Sequence, residues 1–166
     1  MNYLEELKNF KNLFLKKNNL IFFSLIIIFF SLDRITKIKV INEFENQAFF
    51  VNNFLNIDLI WNIGIGFGLF STDSSFIYNL ITLLILIVII SLFYLLIKSS
   101  NLDKLIYTTI IGGALGNFYD RLVYKGVPDF IDLHFNNFHW FTFNVADIFI
   151  TTGITFFIIR SFFIKN

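Results

Sequence analysis

The sequence predicts a mainly α-helical membrane protein: four transmembrane helices, with a small outer β segment between the first and second. Three observations carry this. The 166 residues are 56% hydrophobic, 20% aromatic and only 15% charged, with a mean hydropathy of +0.70; a soluble domain needs far more polar surface. Apolar runs close to the roughly 20 residues that cross a bilayer recur along the chain, and its length allows four or five spans in a single membrane domain, 1–166. Between them lies one stretch of strict two-residue alternation. A net charge of +1 with no basic face excludes nucleic acid as a partner. The absence of cysteine excludes thiol nucleophiles, disulfides and Cys-ligated metals.

The first helix is expected over about 19–40. Lys8, Lys11, Lys16 and Lys17 precede an apolar run from Leu20 to Leu32, the profile of a signal peptide. No small-residue cleavage site follows, so an uncleaved span is the better reading. The others are expected over about 76–97, 105–122 and 141–159. Lys98 and Lys104 lie between helices two and three, and Arg160 and Lys165 close the chain. With four spans these fall on the side of the N-terminal lysines, so both termini are expected to be cytoplasmic.

The outer β segment is expected over about 45–72. From Leu55 to Leu69 the odd positions are all apolar, while Asn56, Asp58, Asn62, Gly64, Gly66 and Gly68 occupy most even ones. That period belongs to a strand with one apolar face. Such an edge can receive an extended peptide. Gly64-Ile-Gly-Phe-Gly68 is not read as a nucleotide loop, because no βαβ unit surrounds it.

Four polar groupings reach the same outer leaflet in this topology. They are Asp33 with Lys37, which share a helix face; Gly113, Asn117, Asp120 and Arg121 along helix three; Asn144 and Asp147 at the start of helix four; and Asp129 with Asp132 in the connection between those two helices. Ionisable groups in a membrane are costly and are functional candidates by default. Each has a plainer reading. Asp33 and Lys37 form a snorkelling pair, Asp120 and Arg121 a structural ion pair, and Gly112 with Gly116 a close helix contact. His134 and His139 are read as ordinary polar loop residues, and no metal site is expected. Asp147 is hardest to explain away, being inside an apolar helix with no basic residue within a turn.

The chain has no H-E-x-x-H, no G-x-S-x-G and no phosphate loop. Carboxylates remain. Two in a low-dielectric site share one proton, so that one activates water and the other protonates the carbonyl, without metal or cofactor. Spacing leaves Asp120, Asp129, Asp132 and Asp147 all eligible.

Five ordered motifs, covering most of the chain from residue 33 to 150, resemble those of the lipoprotein signal peptidases (signal peptidase II). They are Asp33-Arg-Ile-Thr-Lys37, Asn62-Ile-Gly64-Ile-Gly-Phe-Gly68, Gly112-Gly-Ala-Leu-Gly-Asn117-Phe-Tyr-Asp120-Arg121, Val127-Pro-Asp129-Phe-Ile-Asp132 and Phe143-Asn-Val-Ala-Asp147. The resemblance implies an aspartyl endopeptidase of the bacterial inner membrane, with four helices, an outer β cradle and Asp129 and Asp147 as catalytic dyad. Asp33, Lys37, Asn62, Gly64, Gly113, Asn117, Arg121, Asn144 and Ala146 fall on site-associated positions. Asn62 and Asn144 would orient substrate or dyad, and Arg121 would fix the loop of Asp129. The implied substrate is a diacylglyceryl-modified prolipoprotein, cut before its lipidated cysteine near the outer face. Membrane lipids surround the chain, no cofactor is implied, and a monomer is expected. Gly66, Arg34 and Pro128 depart from the commoner residues. The rival is a small channel or carrier using its carboxylates as an ion relay, but that predicts carboxylates spread through the membrane's depth.

Overall fold

A computed structural model describes residues 3–44, 48–64, 75–136 and 138–163. Five helices and four strands follow in the order α1 (Tyr3–Phe14), α2 (Lys17–Phe44), β1 (Phe49–Asn52), β2 (Leu55–Asn62), α3 (Ser75–Lys98), α4 (Asn101–Val123), β3 (Val127–Phe135), β4 (Phe138–Phe143) and α5 (Val145–Phe163). The architecture is mostly helical with a small antiparallel sheet.

Helix α4 is the hub, packing against α2, α3 and α5. Small residues let it. A Cβ on Gly112 would strike Phe29 of α2 at 2.6 Å, and one on Gly113 would overlap the Ala146 carbonyl oxygen of α5. The expected glycine contact between helices is therefore present. A modest apolar core of Phe22, Ile26, Leu96, Ile97 and Ile111 knits α2, α3 and α4.

The interior is otherwise unusually polar: Asp33, Arg34, Lys37, Asp120, Arg121, Asp129 and Asn144 are all buried, while Ile27, Ile28, Leu83, Leu84, Val88, Ile90, Phe156 and Phe157 are exposed. This inverts the soluble pattern and suits an apolar solvent around the helices. By length and composition, Ser75–Lys98 and Val145–Phe163 can cross a membrane. Helices α2 and α4 carry more charge along their lengths.

Several boundaries differ from expectation. The lysine-rich start forms α1, whose Leu4, Leu7, Phe10 and Phe14 recur at helical spacing. The fourth long helix begins at Val145 rather than near 141. Residues 127–143 are not a plain connection but a β3–β4 hairpin, which supplies half of a sheet ordered β1-β2-β3-β4. Within the expected β segment 45–72, residues 45–47 and 65–72 lie outside the described residues.

The sheet also departs from strict alternation. Ile57 pairs with Ile131 but Ile60 with Asp129, so β2 carries one extra residue between them. A bulge of this kind swaps the faces of everything beyond it. Asn56 and Asn62, which alternation places together, therefore point to opposite faces. Asn56 meets Asp132 at 3.3 Å, and Asn62 meets Asp129 at 2.9 Å.

Candidate active site

Helix α5 opens on a reciprocal cap. The Asp147 backbone N–H donates to Asn144 Oδ1 at 3.1 Å, and the Asn144 N–H donates to Asp147 Oδ2 at 3.2 Å. This is the capping-box arrangement, with aspartate at the third helical position. The cap leaves the Asn144 amide free to turn toward the sheet, where its Nδ2 donates to Asp129 Oδ1 at 2.5 Å. One asparagine thus touches both carboxylates.

Asp129 stands on the central strand β3, buried at 3% exposure. Its second oxygen accepts from Asn62 Nδ2, and Asn62 Oδ1 accepts from the Gly64 N–H at 2.8 Å. All its hydrogen-bond donors named here are neutral amides. Burial, and after it the negative charge of Asp147, push its pKa up from 3.8 to about 6.

Asp147 is half-buried and takes a further hydrogen bond from Asn117 Nδ2 at 2.8 Å. Asn117 lies one turn beyond Gly113, where the backbones of α4 and α5 touch. Asp147, Asn117 and Arg121 form the polar end of a groove of about 440 Å³ between α3, α4 and α5. Away from them its walls are Ile81, Ile85, Val88, Ala114, Ile150 and Ile154, and other apolar side chains.

Behind the carboxylates lies a charged cluster. Lys37 Nζ is 2.9 Å from Asp33 Oδ2 and 2.7 Å from Asp120 Oδ2, with all three side chains at 0% exposure. Arg34 pairs with the other oxygen of Asp120 and lies over the Tyr119 ring at 4.6 Å. Asp33 Oδ1 accepts the Ala146 N–H at 2.9 Å, tying α2 to the first turn of α5. A Cβ on Gly116 would overlap Asp33, so that glycine makes room for the carboxylate.

These contacts correct two expectations. Asp33 and Lys37 are fully buried and do not snorkel. Asp120 pairs with Arg34 and Lys37 of α2, not with Arg121, because neighbours on a helix point about 100° apart. Arg121 instead donates to the Gly64 carbonyl at 2.5 Å and to the Asn117 carbonyl at 3.3 Å. It fixes the chain after β2 rather than the loop of Asp129.

Asp132 is separated from the pair. It faces the other side of β3, bound to Asn56 and, at 2.8 Å, to His139 Nδ1. His134 and His139 stack with centroids 5.3 Å apart on the hairpin and do not lie in a loop. Among the described residues no cluster suited to a metal ion is present. All nine supporting positions expected from the sequence converge on Asp129 and Asp147 or on the cluster behind them. Arg34 was overlooked. It shares a helix face with Lys37, three residues on, and that spacing was the available signal.

Apolar outer faces around a buried polar site, with carboxylates gathered at one end of the bundle, are those of a membrane protein. Solved structures agree. Two described as a bacterial membrane enzyme, determined in meso at 2.3 and 1.9 Å, match with TM-scores of 0.67 and 0.65, each at 30% identity. They cover 85% and 84% of this chain, and 87% and 90% of theirs. The family model for signal peptidase (SPase) II matches residues 25–163. The lipoprotein signal peptidase of Pelagibacter ubique is 48% identical over 161 residues, covering 95% of this chain and 93% of that one. That of Francisella tularensis subsp. novicida is 38% identical over 150 residues, covering 87% and 93%. The chain belongs to the signal peptidase II family, and its chemistry is of the aspartic type.

Proposed function

We propose that this protein removes the signal peptide from diacylglyceryl-modified prolipoproteins, cutting before the lipidated cysteine, with Asp129 and Asp147 as its catalytic pair. The observation that carries the assignment is Asn144, which holds both carboxylates at once. Two acids tied to one residue, Asp129 through its side-chain amide and Asp147 through its backbone N–H, address a single water.

The two carboxyls have different surroundings. Asp129 is buried among neutral amides, and with its pKa raised to about 6 it is the acid that takes up the proton. Asp147 sits at the start of α5, where the helix dipole favours negative charge. Asp147 takes a proton from water as the water oxygen attacks the scissile carbonyl carbon, and Asp129 protonates the carbonyl oxygen. As the C–N bond breaks, Asp147 gives its proton to the leaving nitrogen. Asp129 recovers one from a hydroxyl of the tetrahedral intermediate, which restores the starting state. No metal or cofactor takes part.

The relatives' name supplies the substrate class, and the groove ending at Asp147 favours it. An apolar channel lined by isoleucines suits an acyl chain or an apolar signal segment. For placement, Lys16, Lys17, Lys98, Lys104 and Arg160 gather at the end of the bundle opposite the site, joined there by contacts such as Asn18–Asn101 and Arg160–Ser100. The positive-inside rule then favours cytoplasmic termini, α2 to α5 spanning the bacterial inner membrane, and a site facing outward. Every group in the mechanism comes from one chain, so a monomer suffices.

The test is cleavage of a diacylglyceryl-modified prolipoprotein in detergent. Asp129→Asn and Asp147→Asn are each expected to abolish it, while Asp132→Asn retains it. Full activity in either of the first two variants overturns the pair.

A further inference from the structure

We propose that Lys37 is a positioning residue, acting from outside the reacting atoms to hold the Asn117 amide with its N–H toward Asp147. The inference rests on the reading of Asp129 and Asp147 as the catalytic pair, and it assigns a task to a lysine that touches neither.

The argument is one of donor and acceptor supply. An ammonium has three N–H donors and accepts nothing. Lys37 Nζ has three acceptors around it: Asp33 Oδ2 at 2.9 Å, Asp120 Oδ2 at 2.7 Å and Asn117 Oδ1 at 2.8 Å. The ammonium donates to Asp120 and Asn117, while Asp33 Oδ2 is held in ion-pair range without a directed hydrogen bond. Because Lys37 can only donate, Asn117 must turn its carbonyl oxygen toward it. The amide's NH2 then points the other way, to Asp147 Oδ1 at 2.8 Å. A flipped amide would set NH2 against the ammonium and oxygen against the carboxylate, losing both hydrogen bonds and adding two repulsions. The orientation of an asparagine is usually a weak inference; here the two charges on either side dictate it.

Charge balance allows this cation to sit in a site of 0% exposure. Lys37 and Arg34 face Asp33 and Asp120, two charges against two. Arg121 from α4, Asp147 from α5 and Asp129 from β3 complete the titratable surroundings. A second path runs in parallel, since Asp33 also accepts the Ala146 N–H beside Asp147. The cluster therefore positions Asp147 through a side-chain amide and through its own helix.

A purely structural lysine would join α2 to α4 and do no more. The two roles separate in a double-mutant cycle. Lys37→Met alone strands the buried Asp33 carboxylate, so the variant of choice is Lys37→Met with Asp33→Asn, which leaves Arg34 and Asp120 as a balanced pair. In that background kcat is expected to fall about tenfold or more with KM within about twofold. The alkaline limb of its pH profile should move upward, since the Lys37 charge draws down the pKa of Asp129, the acid that must carry the proton. Adding Asn117→Ala, which costs at least about tenfold in the unmodified enzyme, should then cost less than about threefold. An equal cost in both backgrounds reduces Lys37 to a link between helices and overturns the proposal. Should the double variant fail to fold, nitrogen NMR of Lys37 in the unmutated enzyme decides. A slowly exchanging ammonium at pH 7.5, perturbed by Asn117→Ala, upholds the proposal, and a neutral amine or an unmoved signal overturns it. If Asp129→Asn and Asp147→Asn are inactive while the cycle is additive, the proposal about Lys37 fails alone. Full activity in either aspartate variant removes the pair itself.

Discussion

Asp129→Asn should make the protein inactive and, at neutral pH, more stable. The carboxyl is 3% exposed, and its pKa is raised from 3.8 to about 6. Two units at roughly 1.4 kcal/mol each amount to on the order of 3 kcal/mol. Between about pH 4 and 6 the folded chain binds a proton that the unfolded chain has released, so stability falls as pH rises through that window. Above pH 6 the full penalty is present; below pH 4 it is absent. Asparagine removes the penalty but offers one acceptor where Asn62 and Asn144 supply two donors, a loss of about 1–2 kcal/mol. The net gain at pH 7.5 is about 1–2 kcal/mol, or a rise in Tm of about 2–8 °C for a chain of this size. At pH 4 only the lost acceptor remains, and the variant should be less stable than the parent by about 1–2 kcal/mol. Melting in detergent at both pH values, beside a cleavage assay, gives both readouts. A variant destabilised equally at both pH values would refute the claim that an ionised Asp129 is held there at a cost.

Gly113→Val is expected to force α5 away from α4, destabilising by about 1–3 kcal/mol and lowering kcat, because the added side chain meets the Ala146 carbonyl oxygen; unaltered kcat and Tm would count against that contact. Asp120→Ala strands Arg34 in the interior and leaves Lys37 with Asp33 alone; it should cost about 3–5 kcal/mol, read as a lowered melting temperature. The hairpin tips carry exposed Phe50, Phe54, Phe138 and Trp140, and residues 49–57 and 133–143 contain no Asp, Glu, Lys or Arg. That composition fits the headgroup level of a membrane. In Trp61→Phe, which leaves Trp140 as the sole tryptophan, emission should therefore be quenched by shallow brominated lipids in vesicles; quenching by aqueous iodide alone would place the tip in water.

The helices were legible because apolar runs set α3 and α5, and because the glycines of α4 announced close packing. The site was legible as a place: each polar grouping fell near one end of a helix, and those ends meet. Its internal wiring was not. Alternation placed Asn56 and Asn62 on one face, and only the bulge between Ile57 and Ile60 sends them to different aspartates. A bulge leaves no periodic trace in a single sequence. The β3–β4 hairpin was hidden for a related reason. Val127, Phe130, Ile131 and Leu133 do not alternate, and Phe138-His-Trp-Phe-Thr-Phe143 reads as a continuation of the apolar helix after it. The partner of Asp120 was hidden because ion pairs between helices 86 residues apart cannot be read from local spacing.

The link from Asp33 to the Ala146 N–H spans 113 positions and closes the site with the last helix of the described chain. During synthesis, α2 to α4 emerge well before either half of the cap that holds Asp147. A nascent protein at that stage has the lysine and the charged cluster around it, but neither Asp129 nor Asp147 and, without α5, no groove. The proposed catalytic pair is therefore assembled last, on delivery of α5.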